Sequence, residues 1–143
     1  MRSTQQPLQI IRCFSSLPVP VVKLQQISRF LYKNEHIPLT RRISVVFCSD
    51  AAIRRLNAHF RKIDQATDVL SFTFGDSDLL GEIYISLQRA AAQAKEYGMT
   101  HQEEILRLFI HGFYHLVGYD HKKDTGYKEM EKKEKRAFEM CVG

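Results

Sequence analysis

The chain has 143 residues, 44% of them hydrophobic and 26% charged, proportions that give a single globular domain over residues 1–143 with a substantial core. Lys and Arg number 21 against 16 Asp and Glu, for a formal charge of +5, a balance that suits an anionic partner such as RNA, DNA or a phosphorylated ligand. The three cysteines Cys13, Cys48 and Cys141 are scattered and form no CxxC pair, which argues against a disulfide framework or a thiolate zinc cluster and favours a reducing, cytoplasmic setting; nor is there a run of about 18 apolar residues to make a signal peptide or membrane span.

Leu8 to Phe14 reads as a strand, broken by the Leu17 to Pro20 stretch before Val21, Leu24, Ile27 and Leu31 recur at helical spacing. Past Pro38, Ile43, Val45, Val46, Phe47 and Cys48 put apolar groups on both faces of a strand, the pattern of an interior position in a sheet. Ser49 or Asp50 caps the next helix, with a predicted buried stripe of Ile53, Leu56 and Phe60. Val69 to Phe74 and Leu80 to Ile85 read as two neighbouring strands joined through Gly75, Asp76, Ser77 and Asp78.

Ser86 caps a helix carrying Leu87, Ala90, Ala91, Ala94 and Tyr97 on one side, and Gly98 stands where a left-handed C-terminal residue is wanted. Thr100 with Glu103 makes a capping box for the following helix, which Gly118 ends. Thr125 to Cys141 closes the chain as an amphipathic helix with Tyr127, Met130, Ala137, Phe138 and Cys141 on its stripe. The order predicts an α+β (mixed α/β) domain: a central mixed sheet of about four strands packed by about five helices.

Three of the six histidines fall within His111-Gly-Phe-Tyr-His115-Leu-Val-Gly118-Tyr-Asp-His121. Residues four apart share a helix face, so His111 and His115 converge on one ion, and a reversal at Gly118 brings His121 back to it. Three neutral nitrogen ligands with one position open for water describe a catalytic zinc site, and zinc-bound water is acidified toward a pKa of about 7. The metal site therefore lies on a helix and the turn after it. His36, His59 and His101 have no such pattern and read as ordinary surface or core residues.

The same spacing occurs in the metzincin metalloproteases, where a glutamate after the first histidine is the general base. Gly112 stands at that position, which removes the proton acceptor and makes a protease the lesser alternative. A glycine within a helix costs about 1 kcal/mol relative to alanine, so a close approach of substrate or backbone is expected there. Arg61, in the polar bridge from Leu56 to Phe72, either offers its donor fork to a phosphate across the cleft or is an ordinary surface arginine, free or paired with Asp64 or Asp68. Lys122, Lys123, Lys132, Lys133, Lys135 and Arg136 either form a basic rim near the site or, interspersed as they are with Asp124, Glu129, Glu131, Glu134 and Glu139, belong to a solvated helix face.

Other catalytic signatures are missing: there is no Gly-x-Ser-x-Gly elbow, phosphate-binding P-loop or dinucleotide fingerprint, and no glycine precedes Gly75. Thr67-Asp-Val-Leu-Ser-Phe72, Leu80-Gly-Glu-Ile-Tyr-Ile-Ser86 and the histidine motif, in that order, resemble the YbeY family along the whole chain. That resemblance implies a single-strand-specific, metal-dependent endoribonuclease of 16S rRNA 3' end maturation and small-subunit quality control. It implies one zinc ion on His111, His115 and His121, with Arg61 and His115 as catalytic residues.

It further implies ribosomal RNA and the small ribosomal subunit as partners, with small-subunit proteins and an assembly GTPase beside them, and no membrane. Thr73 and Glu82 depart from the family's usual proline and aspartate, and local changes in the strand edge and in the loop before Leu80 are expected. An assembly factor with a structural zinc is the alternative from another class.

Overall fold

The computed structural model describes residues 6–14, 16–74, 78–118 and 124–142. Among them the order is β1 (Leu8–Arg12), α1 (Val21–Asn34), β2 (Arg42–Cys48), α2 (Asp50–Arg61), β3 (Val69–Thr73), β4 (Leu79–Ser86), α3 (Leu87–Tyr97), α4 (His101–Leu116) and α5 (Asp124–Val142). This is the predicted succession. The predicted connection through Gly75, Asp76 and Ser77, with His121, Lys122, Lys123 and the side chains of Asp124 and Tyr127, lies outside the described residues.

The strands form one sheet in the order β1-β2-β4-β3. β1 and β4 both run parallel to β2, with Val45 opposite Ile10 on one side and Ile83 on the other, while β3 runs antiparallel to β4. Central β2 is buried from Ile43 through Cys48, as an interior strand covered on both faces must be. Side-chain alternation divides those faces. Ile43, Val45, Phe47, Ile83 and Ile85 join the main core with Leu24 and Leu31 of α1, Phe109 and Phe113 of α4 and Met130 and Ala137 of α5. Cys48, Leu70, Phe72 and Tyr84 point the other way, against Ile53 and Leu56 of α2.

The helix starts follow their capping residues. Ser49 and Ser86 accept from the amides of Ala52 and Arg89, and Thr100 exchanges both bonds of a capping box with Glu103, satisfying amides that have no partner within the helix. Gly98 and Gly118 follow α3 and α4 with φ of 66° and 97°, a conformation that a Cβ disfavours.

Two helix ends depart from the predicted stripes. Phe60 is 60% exposed and Tyr97 is 54% exposed. Phe60, in the last turn of α2, meets Phe72 of the edge strand β3 with its ring edge-on, where no further strand extends the sheet beneath it. Tyr97, at the end of α3, lies under the Arg107 guanidinium.

Candidate metal centre

α4 brings the first two histidines together one turn apart. His111 Nε2 and His115 Nε2 are 3.1 Å apart, with the rings nearly perpendicular. Two nitrogens on a tetrahedral zinc, each about 2.0–2.1 Å from the ion, are separated by about 3.3 Å, so the pair already has the bite of a chelating site. Among the described residues no group of three His, Cys, Asp or Glu side chains is placed to hold an ion. The third predicted ligand, His121, is outside them. The pair fits the nitrogen chemistry expected of zinc and could supply two of the four positions of a tetrahedral ion.

The helix holds this pair against the sheet through Gly112. A Cβ there would stand 3.0 Å from Ile83 Cγ2, 3.0 Å from Ser71 Oγ and 3.3 Å from Val69 Cγ2. The close approach expected at this glycine is therefore to β3 and β4, through their side chains, and not to a substrate. Ser71 Oγ also donates to the Gly112 carbonyl at 3.1 Å. A glutamate in place of Gly112 would point into the sheet, so the position cannot serve as the base of a metalloprotease.

Beside the histidines is a cavity of about 500 Å³ whose walls include Asn57, Arg61, Asp68, Ser71, His111 and His115. Neither predicted ion pair of Arg61 forms. Asp64 pairs with Arg54 at 2.8 Å, and Asp68 accepts from the Val69 amide and from Gln93. Arg61 instead donates to the Ser71 carbonyl at 3.1 Å and lies over the Phe72 ring at 5.6 Å. These contacts hold an exposed guanidinium at the cavity wall.

Gln93 links the cavity wall to the buried carboxylate of Glu104. It donates to Asp68 at 3.4 Å and to Glu104 at 2.6 Å, and Glu104 takes a two-point ion pair from Arg107. Glu104 is fully buried, and these donors are what make a carboxylate tolerable there.

One polar contact contradicts the predicted solvated face of α5. Glu134 has its two carboxylate oxygens 3.2 and 3.3 Å from His111 Nδ1, and its side chain is largely shielded. It lies four residues after Met130 and three before Ala137, both fully buried, so it fills the gap in that helix's apolar stripe. That gap was the available sequence signal. Lys133, next to it, pairs with Glu35 at the end of α1 at 2.8 Å. Glu82 accepts from the Tyr84 hydroxyl, and Thr73 ends β3 opposite Gly81.

Residues 21–141 match the family model described as "Endoribonuclease YbeY". An endoribonuclease YbeY of Thermotoga petrophila is 42% identical over 102 residues, covering 71% of this chain and 68% of its own length. One from a Geobacillus species is 37% identical, covering 81% of this chain and 83% of its own. The solution structure of the Thermotoga maritima protein TM1509 superposes with a TM-score of 0.66 at 31% identity, covering 94% of this chain and 88% of that one.

Proposed function

This chain belongs to the YbeY endoribonuclease family, and we propose that it cleaves RNA at a zinc ion held by His111, His115 and His121, in the maturation of ribosomal RNA. The observation that carries the metal reading is the 3.1 Å approach of the two Nε2 atoms on a cavity that Arg61 also lines. Its volume suits a phosphodiester with its ribose, and the chain's charge of +5 favours a polyanion. The small ribosomal subunit, its proteins and an assembly GTPase are the partners that accompany this role, and the cytoplasm is its setting. No helix among the described residues is long and apolar enough to cross a membrane.

Zinc bound there would supply a Lewis acid and an acidified water at neutral pH. His111 and His115 would hold it through Nε2, and as neutral ligands they would leave the ion its positive charge. Arg61 keeps one N–H on the Ser71 carbonyl and directs others of its five donors at the phosphate oxygens. Negative charge grows on those oxygens as an attacking hydroxyl oxygen gives up its proton and adds to phosphorus, and it is relieved when the bond to the leaving ribose oxygen breaks and that oxygen takes up a proton. A fixed guanidinium stabilises that charge more than it stabilises the starting diester.

The test is digestion of small-subunit precursor rRNA by the purified chain before and after chelation. Cleavage that disappears with the chelator and returns on adding zinc supports the proposal. Undiminished cleavage by protein shown to be metal-free would contradict it.

A further inference from the structure

We propose that Glu134 is a positioning residue that holds His111 in the Nδ1–H tautomer and fixes its ring plane, so that Nε2, the nitrogen beside His115, is the one left without a proton. The inference rests on the His pair being a metal site. An ionised carboxylate only accepts hydrogen bonds, and both Glu134 oxygens lie within reach of Nδ1. The ring nitrogen facing them must then carry the proton. A histidine that binds a metal does so as a neutral imidazole with one N–H, so the tautomer that meets Glu134 is the one that leaves Nε2 to the ion. That atom is the one 3.1 Å from His115 Nε2.

Free imidazole side chains favour the opposite tautomer, with the proton on Nε2, where it would have to be displaced before an ion could bind. A carboxylate on the far nitrogen removes that obstacle and raises the basicity of the ligand atom. The position of Glu134 is itself fixed. Met130 and Ala137 on either side are fully buried, and the Lys133–Glu35 pair ties the same turn of α5 to the end of α1. A charge set into an apolar stripe, with a histidine ring as its partner, is costly for α5 packing alone. Its return is a ligand that is oriented before the ion arrives.

The test uses the full chain and two variants. Glu134→Leu puts an apolar group of similar size into the stripe and keeps α5 docked, while Glu134→Gln keeps a neutral oxygen acceptor. Nitrogen-15 correlation spectra of the metal-free proteins report the His111 tautomer. Competition against a chromogenic chelator reports zinc affinity, and circular dichroism confirms the fold.

Wild type should show the Nδ1–H form. Glu134→Leu should lose it and bind zinc 10- to 100-fold more weakly, the usual consequence of removing a carboxylate behind a ligating histidine, and Glu134→Gln should recover part of both. A folded Glu134→Leu that keeps the Nδ1–H form, or that binds zinc as tightly as wild type, overturns the assignment. If wild type binds no zinc but the tautomer still switches with Glu134, the metal reading fails and the tautomer assignment survives.

Discussion

Replacing Gly112 by alanine sets two effects of known size against each other. Alanine in a helix interior is favoured over glycine by about 1 kcal/mol. The added methyl would stand 3.0 Å from Ile83 Cγ2 and Ser71 Oγ and 3.3 Å from Val69 Cγ2, and Ile83 is fully buried, so it has little room to yield. Overpacking of this kind costs about 1–3 kcal/mol. The expected net change is a destabilisation of about 0–2 kcal/mol, with α4 displaced from the sheet and His111 and His115 moved relative to Arg61.

Urea unfolding of wild type and Gly112→Ala, with equal slopes required before midpoints are compared, measures the sum. Zinc affinity measures the displacement. A variant stabilised by the full propensity gain of about 1 kcal/mol would refute the close packing of α4 on the sheet. Gly112→Glu, the change that would complete a metalloprotease motif, should destabilise by at least about 3 kcal/mol and gain no peptidase activity. Peptide hydrolysis by that variant would refute the same packing.

Arg61→Ala should retain zinc and change stability by less than about 1 kcal/mol, because its side chain is exposed, yet lose RNA cleavage by about 100- to 1,000-fold, as expected on removing a donor to transition-state charge; full cleavage by the variant would remove Arg61 from the reaction. Burial works to raise the Asp50 pKa, but hydrogen bonds from Arg89 and Ser86 and the Arg89 charge outweigh it and hold the carboxyl below its ordinary value. A depressed folded pKa gives stability that is present above the unfolded pKa and lost as pH falls through the folded one. Asp50→Asn should therefore cost less than about 1 kcal/mol near neutral pH, the pair being more than a third exposed, and its deficit in urea unfolding should vanish in acid; a deficit unchanged at low pH would count against the ion pair.

Local pattern carried much of the fold. The doubly apolar run of β2, the serine and threonine caps and the glycines after α3 and α4 each express a requirement confined to a few residues, and those are legible in order along the chain. Phe60 and Tyr97 were misplaced because periodicity says which side of a helix faces inward but not how far the neighbouring surface extends beneath its last turn. The place of β3 at the sheet edge is likewise a long-range fact.

In the candidate site, the His111–His115 pair was visible because both histidines lie on one helix, one turn apart. For Arg61 the sequence could not say whether Asp64 or Asp68 would pair with it, because that depended on Asp64 finding Arg54 and on the Ser71 carbonyl reaching the guanidinium. Glu134 was hidden by composition: among alternating lysines and glutamates it has the look of a solvated charge, and only the docking of α5 on α4 brings it to His111.

The most direct test of the central claim compares wild type with His115→Ala, purified side by side, measuring bound zinc and cleavage of small-subunit precursor rRNA on the same preparations. Joint loss of zinc and cleavage in a variant that remains folded is the expected result. Equal cleavage by both proteins would contradict a reaction at this metal centre.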